Sequence, residues 1–157
     1  MECKMELTAK DVEILRLLQD GNEDSRQKLA ERVGMSSTTL WRRINELEAA
    51  GVIRQRVALL DAEKIGLPVS VFVFVNLKNY HVETREAFET FVEESGQIME
   101  CYSVTGATDY ILQLRCKSVR DFETFLMERI LMHPGVESAS SQISLRQHKY
   151  TTALPIG

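Results

Sequence analysis

Gly34-Met35-Ser36-Ser37-Thr38-Thr39-Leu40-Trp41-Arg42-Arg43-Ile44-Asn45-Glu46-Leu47-Glu48-Ala49-Ala50-Gly51-Val52-Ile53 is the stretch on which the fold turns. It reads as the end of a tight turn, a short helix, and a glycine stop running into a strand. Ser36 is placed to cap the first unpaired amides of the helix, and Gly51 to take the left-handed conformation that ends it. Leu40, Ile44 and Leu47 recur at i, i+4 and i+7, so they share one face and need burial. At about 100° per residue the opposite face carries Thr38, Arg42 and Asn45, with Trp41 on one shoulder and Arg43 on the other. Short hydroxyls (Ser37, Thr38, Thr39), an amide and guanidinium groups are the chemistry that meets base edges and phosphates. A buried stripe backed by such a face, after a glycine turn, has the form of the recognition helix of a helix-turn-helix. An ordinary surface helix is the plainer alternative.

The residues upstream support the first reading. Leu7-Thr8-Ala9-Lys10-Asp11-Val12 opens a helix with Thr8 as N-cap and Asp11 at the reciprocal capping position. Val12, Leu15 and Leu18 are its expected buried stripe, supplemented by Ile14 and Leu17. Asp20-Gly21-Asn22 ends it with turn residues. Ser25 caps a second helix, Arg26–Val33, whose Leu29, Ala30 and Val33 face inward, and Gly34 closes it. Three short helices with a glycine turn between the last two make a helix-turn-helix unit. Beyond Gly51 the pattern becomes strand-like through Leu59. Arg54 and Arg56 share a face there, as in a wing against a DNA backbone, although a solvated strand face is the alternative. The expected boundaries are a winged helix-turn-helix over 1–58, with the wing or linker strand at 52–66, and a second domain over 67–157.

That second domain reads strand, helix, strand, strand, helix, strand. Val69–Leu77 is β-branched and aromatic-rich, and Glu83–Ser95 puts Ala87, Phe88, Phe91 and Val92 on one helical face. Ile98–Thr105 meets Asp109–Cys116 across the turn Gly106-Ala107-Thr108. Ser118 and Asp121 open a helix carrying Phe122, Phe125, Leu126 and Ile130, which His133-Pro134-Gly135 stops before a last strand, Val136–Leu145. The βαββαβ order predicts an α+β, ferredoxin-like domain with both helices on one sheet face. The uncovered face needs a partner, which predicts a dimer.

Composition narrows the class. The 157 residues are 44% hydrophobic and 27% charged, as in an ordinary soluble globular protein. The longest apolar run, Val69 to Val75, is far too short to span a bilayer, and the start carries no secretion signal, so no membrane partner and a cytoplasmic location are expected. Cys3, Cys101 and Cys116 form neither a disulfide framework nor a zinc motif. No phosphate-loop, dinucleotide or hydrolase motif occurs, and His81, His133 and His148 lie in separate segments without ligand spacing. We therefore expect no enzyme activity, catalytic residue, metal or cofactor. Net charge is −4, but residues 1–57 balance ten Lys or Arg against ten Asp or Glu, and Ser36–Arg56 holds four Arg against two Glu. A locally positive face this weak argues for DNA binding by a dimer or larger assembly.

Taken in order, the motifs resemble the Lrp/AsnC family of transcriptional regulators. They are Asp11-x-x-Ile14-Leu15, Leu29-Ala30-x-x-Val33-Gly34-Met35-Ser36, Arg43-Ile44-x-x-Leu47-Glu48-x-x-Gly51-Val52-Ile53, Leu60-Asp61 through Ile65-Gly66, Val104-Thr105-Gly106-x-x-Asp109-Tyr110, Pro134-Gly135-Val136 and Lys149. The resemblance implies operator DNA as partner and homodimers assembling into octamers. It also implies an amino-acid effector between dimers, at Thr105, Gly106, Asp109 and Tyr110, with Ser141 where many members carry Thr. Thr39-Leu40-Trp41-Arg42-Arg43 and the tail from Lys149 to Pro155 look like a sub-branch that includes regulators of cysteine breakdown, which makes cysteine one candidate effector. The sequence also departs from the family in a longer, more acidic loop, Asp20-Gly21-Asn22-Glu23-Asp24.

Two functions follow as expectations. In the first, a DNA-binding regulator of amino-acid metabolism genes uses Thr38, Arg42 and Asn45 on base edges and Arg43, Arg54 and Arg56 on phosphates. In the second, the ferredoxin-like domain acts as a ligand-binding sensor or enzyme without DNA.

Overall fold

Thr8 begins the first helix as its spacing predicts: its hydroxyl accepts from the Asp11 amide while the Asp11 carboxylate accepts from the Thr8 amide. The computed structural model describes residues 6–20 and 25–156, so the loop expected at Gly21–Asp24 lies outside the described residues. The chain divides into two units, Met1–Ala58 with Lys149–Gly157, and Leu59–His148.

In the first unit, α1 (Ala9–Gln19), α2 (Arg26–Val33) and α3 (Ser37–Ala49) form the three-helix motif. Gly34 ends α2 at φ +66°, a conformation that costs glycine little and other residues more, and Ser36 caps α3 two residues later. Leu40, Ile44 and Leu47 are buried to within 2%, and Leu40 and Ile44 meet Ile14, Leu29, Ala30 and Val33. Each such side chain contributes about 1.5–3 kcal/mol by leaving water. The buried face of α1 is rotated from the expected one. It carries Asp11, Ile14 and Leu15, while Val12, Leu17 and Leu18 are half-buried. A charged residue that begins a buried stripe is invisible to hydrophobic periodicity.

The expected wing is absent as a strand. Residues 54–60 run without ladder partners, because among the described residues of this unit no other strand offers them. The tail, expected to belong with the sheet, instead lies along α1. Arg16 donates Nε and Nη2 to the Ile156 carbonyl at 3.2 and 2.9 Å, and Gln19 and Leu154 exchange two hydrogen bonds at 3.3 and 2.6 Å.

The second unit is an antiparallel sheet of β1 (Val69–Leu77), β2 (Ile98–Ser103), β3 (Tyr110–Cys116) and β4 (Val136–Ile143), in the order β2-β3-β1-β4. With α4 (Val82–Glu94) and α5 (Val119–Phe125, continued by a π-helical turn Leu126–Ile130), it has the expected ferredoxin-like α+β topology. Val71, Val73, Val75, Leu112 and Leu114 are fully buried beneath Phe88, Phe122, Phe125 and Ile130. Strand alternation sends Phe72, Phe74, Ile111 and Tyr102 to the other face, where Phe72 is 39% and Tyr102 56% exposed. No helix among the described residues is long and apolar enough to cross a membrane.

Candidate functional site

On α3 the buried stripe forces the polar residues outward. Thr38, Arg42 and Asn45 are all exposed, and Arg42, with 77% of its side chain in solvent, pairs loosely with Glu46 at 3.8 Å. Ser37 is exposed at the first turn. Thr39 is drawn into the cap, its amide donating to the Ser36 hydroxyl at 3.2 Å and its own hydroxyl hydrogen-bonded there at 2.8 Å. What projects freely is therefore a hydroxyl, a guanidinium and an amide in a row, a set suited to base edges.

Arg43 requires a correction. Expected at a phosphate, it sends Nε and Nη2 to the two oxygens of Asp11 at 2.6 and 2.8 Å and Nη1 to Glu46 at 2.8 Å. Asp11 is 1% exposed, and these bonds, ahead of those from Thr8, hold its carboxyl well below the usual carboxylate range. Arg43 thus fastens α3 to α1. Trp41 is half-buried against the helical core, with the Arg26 and Arg56 guanidinium carbons 4.0 and 5.2 Å from its ring centroid. Arg56 is also paired to Glu48 at 2.7 Å. Arg54 is exposed on the unpaired segment.

The second unit holds a cleft of about 440 Å³ lined by Leu77, Tyr80, Arg85, Glu89, Ser103, Val104, Asp109 and Tyr110. Its floor is the loop between β2 and β3. Asp109 fixes this loop: its Oδ2 accepts from the Leu77 amide at 2.8 Å, and its own amide donates to Val75 O at 3.1 Å and to Asn76 Oδ1 at 3.2 Å. The Asp109 carboxylate near the Tyr80 hydroxyl raises the Tyr80 pKa. Tyr110, 5% exposed, donates its hydroxyl to Glu89 at 2.8 Å, and burial followed by that carboxylate pushes the phenol up to about 12. Gly106 sits at φ +127°, a region that disfavours other residues, and with Thr105 is exposed on the loop.

Ser141 is not brought to this cleft. It lies on the edge strand β4, opposite Val73. Sequence reasoning missed Tyr80, Arg85 and Glu89; Arg85 and Glu89 are four apart on α4, but in sequence they look like any solvated helical face.

Other groups carry no visible chemistry. His133 is half-buried edge-on to Phe88, its Nδ1 accepts from the Gly135 amide at 3.1 Å, and burial lowers its pKa. Burial also raises the Cys101 thiol, and pushes Cys116 to about 11, which leaves both protonated at neutral pH. No metal-binding cluster occurs among the described residues.

The model of the Lrp/AsnC ligand binding domain matches residues 70–154, and that of a winged helix-turn-helix DNA-binding domain matches residues 7–54. The chain is 35% identical to the glutamate uptake regulatory protein of Zymomonas mobilis, over 93% of this chain and 88% of that one. It is 34% identical to the DNA-binding transcriptional activator DecR of Escherichia coli, over 93% and 96%. A crystal structure of a Neisseria meningitidis transcriptional regulator in complex with L-methionine superposes with a TM-score of 0.91 at 35% identity, over 96% of this chain and 97% of that one.

Proposed function

The chain belongs to the Lrp/AsnC family of transcriptional regulators, and from that premise we propose which of its residues read DNA and which hold the effector. It is a DNA-binding, amino-acid-responsive regulator. Its relatives are named as regulators rather than enzymes.

Thr38, Arg42 and Asn45 enter the major groove, Arg42 being the strongest candidate for a bidentate contact to guanine. Arg54 and Arg56 reach phosphates and set register. Pairing of two copies across the uncovered sheet face brings two such helices onto half-sites about 34–36 Å apart; the exposed Phe72 and Tyr102 support that pairing. Further assembly of dimers, as far as an octamer, places the effector between them.

The effector lies in the cleft beside Asp109 and Tyr110, with Thr105 and Gly106 at its rim. The observation that carries this reading is the gathering of Arg85, Glu89 and Asp109 around one cleft. A free amino acid is a zwitterion, and the site offers a fork for its carboxylate and an acceptor for its ammonium. Glu89, oriented by Tyr110, is the ammonium partner. Asp109 is tied into its own loop and acts chiefly by shaping it. Cysteine and methionine are first choices to test.

A thermal-shift screen against the proteinogenic amino acids tests the effector assignment. A ligand that binds only the folded state raises stability by RT ln(1 + [L]/Kd). One or a few hits that disappear in Arg85→Gln are expected. No shift at millimolar ligand, or a shift untouched by Arg85→Gln, contradicts it.

A further inference from the structure

Arg26 stands outside the recognition helix, at the first position of α2, yet it lies over the ring of Trp41. Arg56 reaches the same ring, so two guanidinium groups lie within 5.2 Å of one ring centroid. Together with Ser37 and Trp41 they line a cleft of about 230 Å³, whose apolar floor is Leu17, Leu40 and their neighbours. Both arginines are exposed. Arg56 has Glu48 as a partner at 2.7 Å, and Arg26 has no carboxylate partner among the described residues.

Two like charges gathered at one ring repel each other. The negative face of the indole and the single Glu48 carboxylate offset part of that repulsion, leaving the cluster with a net positive charge. An anion placed between the guanidiniums relieves the remainder and gains charge-assisted hydrogen bonds from both, with the Ser37 hydroxyl as a further donor.

We propose that Arg26, Trp41, Arg56 and Ser37 form a seat for one backbone phosphate of the bound DNA, so that the strand flanking the recognition helix is clamped from α2 as well as from α3. The seat rests on the DNA-binding reading above and extends it to a residue outside the recognition helix. It supplies affinity and register without reading sequence, because a phosphate is the same at every step. Trp41 serves as the platform that holds both guanidiniums.

The test is the salt dependence of binding of the full chain to a fluorescein-labelled random-sequence duplex, measured by anisotropy for wild type, Arg26→Gln and Arg26→Lys. Each phosphate neutralised adds about 0.9 to the slope of log K against log salt. Arg26→Gln should lower that slope by about 0.9 per protomer engaged, which corresponds to roughly eightfold weaker binding near 0.1 M salt relative to 1 M. Arg26→Lys should restore most of the slope, and thermal unfolding should show both variants folded. The emission of Trp41 should change when wild type binds the duplex and change less in Arg26→Gln. A folded Arg26→Gln that keeps the wild-type slope overturns the seat and leaves the recognition helix untouched. Failure of the wild type itself to bind the duplex at low salt overturns the DNA-binding reading and the seat with it.

Discussion

Replacing Asp11 by alanine should loosen the helical unit without touching its exposed polar face. The Asp11 carboxylate accepts four hydrogen bonds, at 2.6 and 2.8 Å from Arg43 and at 2.7 Å each from the amide and hydroxyl of Thr8. Bonds to a charged group contribute about 1.5–3 kcal/mol each in favourable cases, and orphaning the partner of a buried ion pair costs roughly 3–5 kcal/mol. The upper end is not reached here, because Arg43 keeps Glu46 and a quarter of its side chain is in solvent. We expect a loss of about 2–3 kcal/mol, or a fall in Tm of roughly 10–20 °C for a unit of this size. Trp41, the sole tryptophan, lies in this unit, so urea unfolding followed by its emission reports the unit alone. Adding Arg43→Met to Asp11→Ala should cost little more, since the two residues act through one contact. The pH dependence has a definite sign. The folded-state pKa of Asp11 lies well below the ordinary aspartate value of about 3.9, so its stabilisation is complete above that value and is lost as pH falls beneath it. Wild type should therefore weaken below about pH 4 more steeply than Asp11→Ala. A stability within about 0.5 kcal/mol of wild type at neutral pH, a change typical of an unremarkable surface site, would refute the fastening role and return Arg43 to the list of phosphate contacts.

Arg42→Ala should weaken operator binding by about 1–3 kcal/mol and relax base preference at one position; an equal loss on random duplex would make Arg42 a phosphate contact instead. His133, whose pKa burial lowers, disfavours the protonated folded state. Urea unfolding followed by circular dichroism should therefore show stability of the sheet unit falling as pH drops below the ordinary histidine value of about 6.5. His133→Phe should show a shallower dependence, and an identical profile would dismiss the histidine as its source. Gln19→Ala removes both bonds to Leu154 and should lower the Tm of the helical unit by a few degrees, each exposed bond contributing about 0.5–1.5 kcal/mol or less. If truncation of the tail has no effect on that Tm either, the tail does not brace α1.

The helices and strands were legible because local chemistry and burial agree in them. Thr8, Ser25, Ser36 and Ser118 all cap as their positions predict, and β3, with β1 from Val71 onward, alternates between core and open face. The order of the elements then leaves few topologies. What failed to show were features that depend on distant partners. Val52–Leu59 has strand composition, but a strand exists only where a ladder partner lies beside it. Arg43 sits on a polar shoulder of its helix, and nothing local reveals that Asp11, thirty-two residues earlier, is buried beneath it. The cleft of the sheet unit shows the same limit. Its loop was readable from Gly106 and Asp109, whereas Tyr80, Arg85 and Glu89 join it only when α4 packs across the sheet. Asp109 itself looked like a ligand group, yet its carboxylate closes the loop onto the Leu77 amide.

The proposed function couples, within one chain, an amino acid held by Arg85 and Glu89 to DNA held by α3. Coupling of this kind is a free energy, and it is reciprocal. The most direct measurement is the affinity for an operator-containing duplex with and without saturating amino acid from the thermal-shift screen, for wild type and Glu89→Gln. Such coupling predicts a shift in DNA affinity of about fivefold or more in wild type, matched by an equal shift in amino-acid affinity when DNA is present, with both absent in Glu89→Gln. Tight amino-acid binding that leaves DNA affinity unchanged, or an unchanged response in Glu89→Gln, would contradict it.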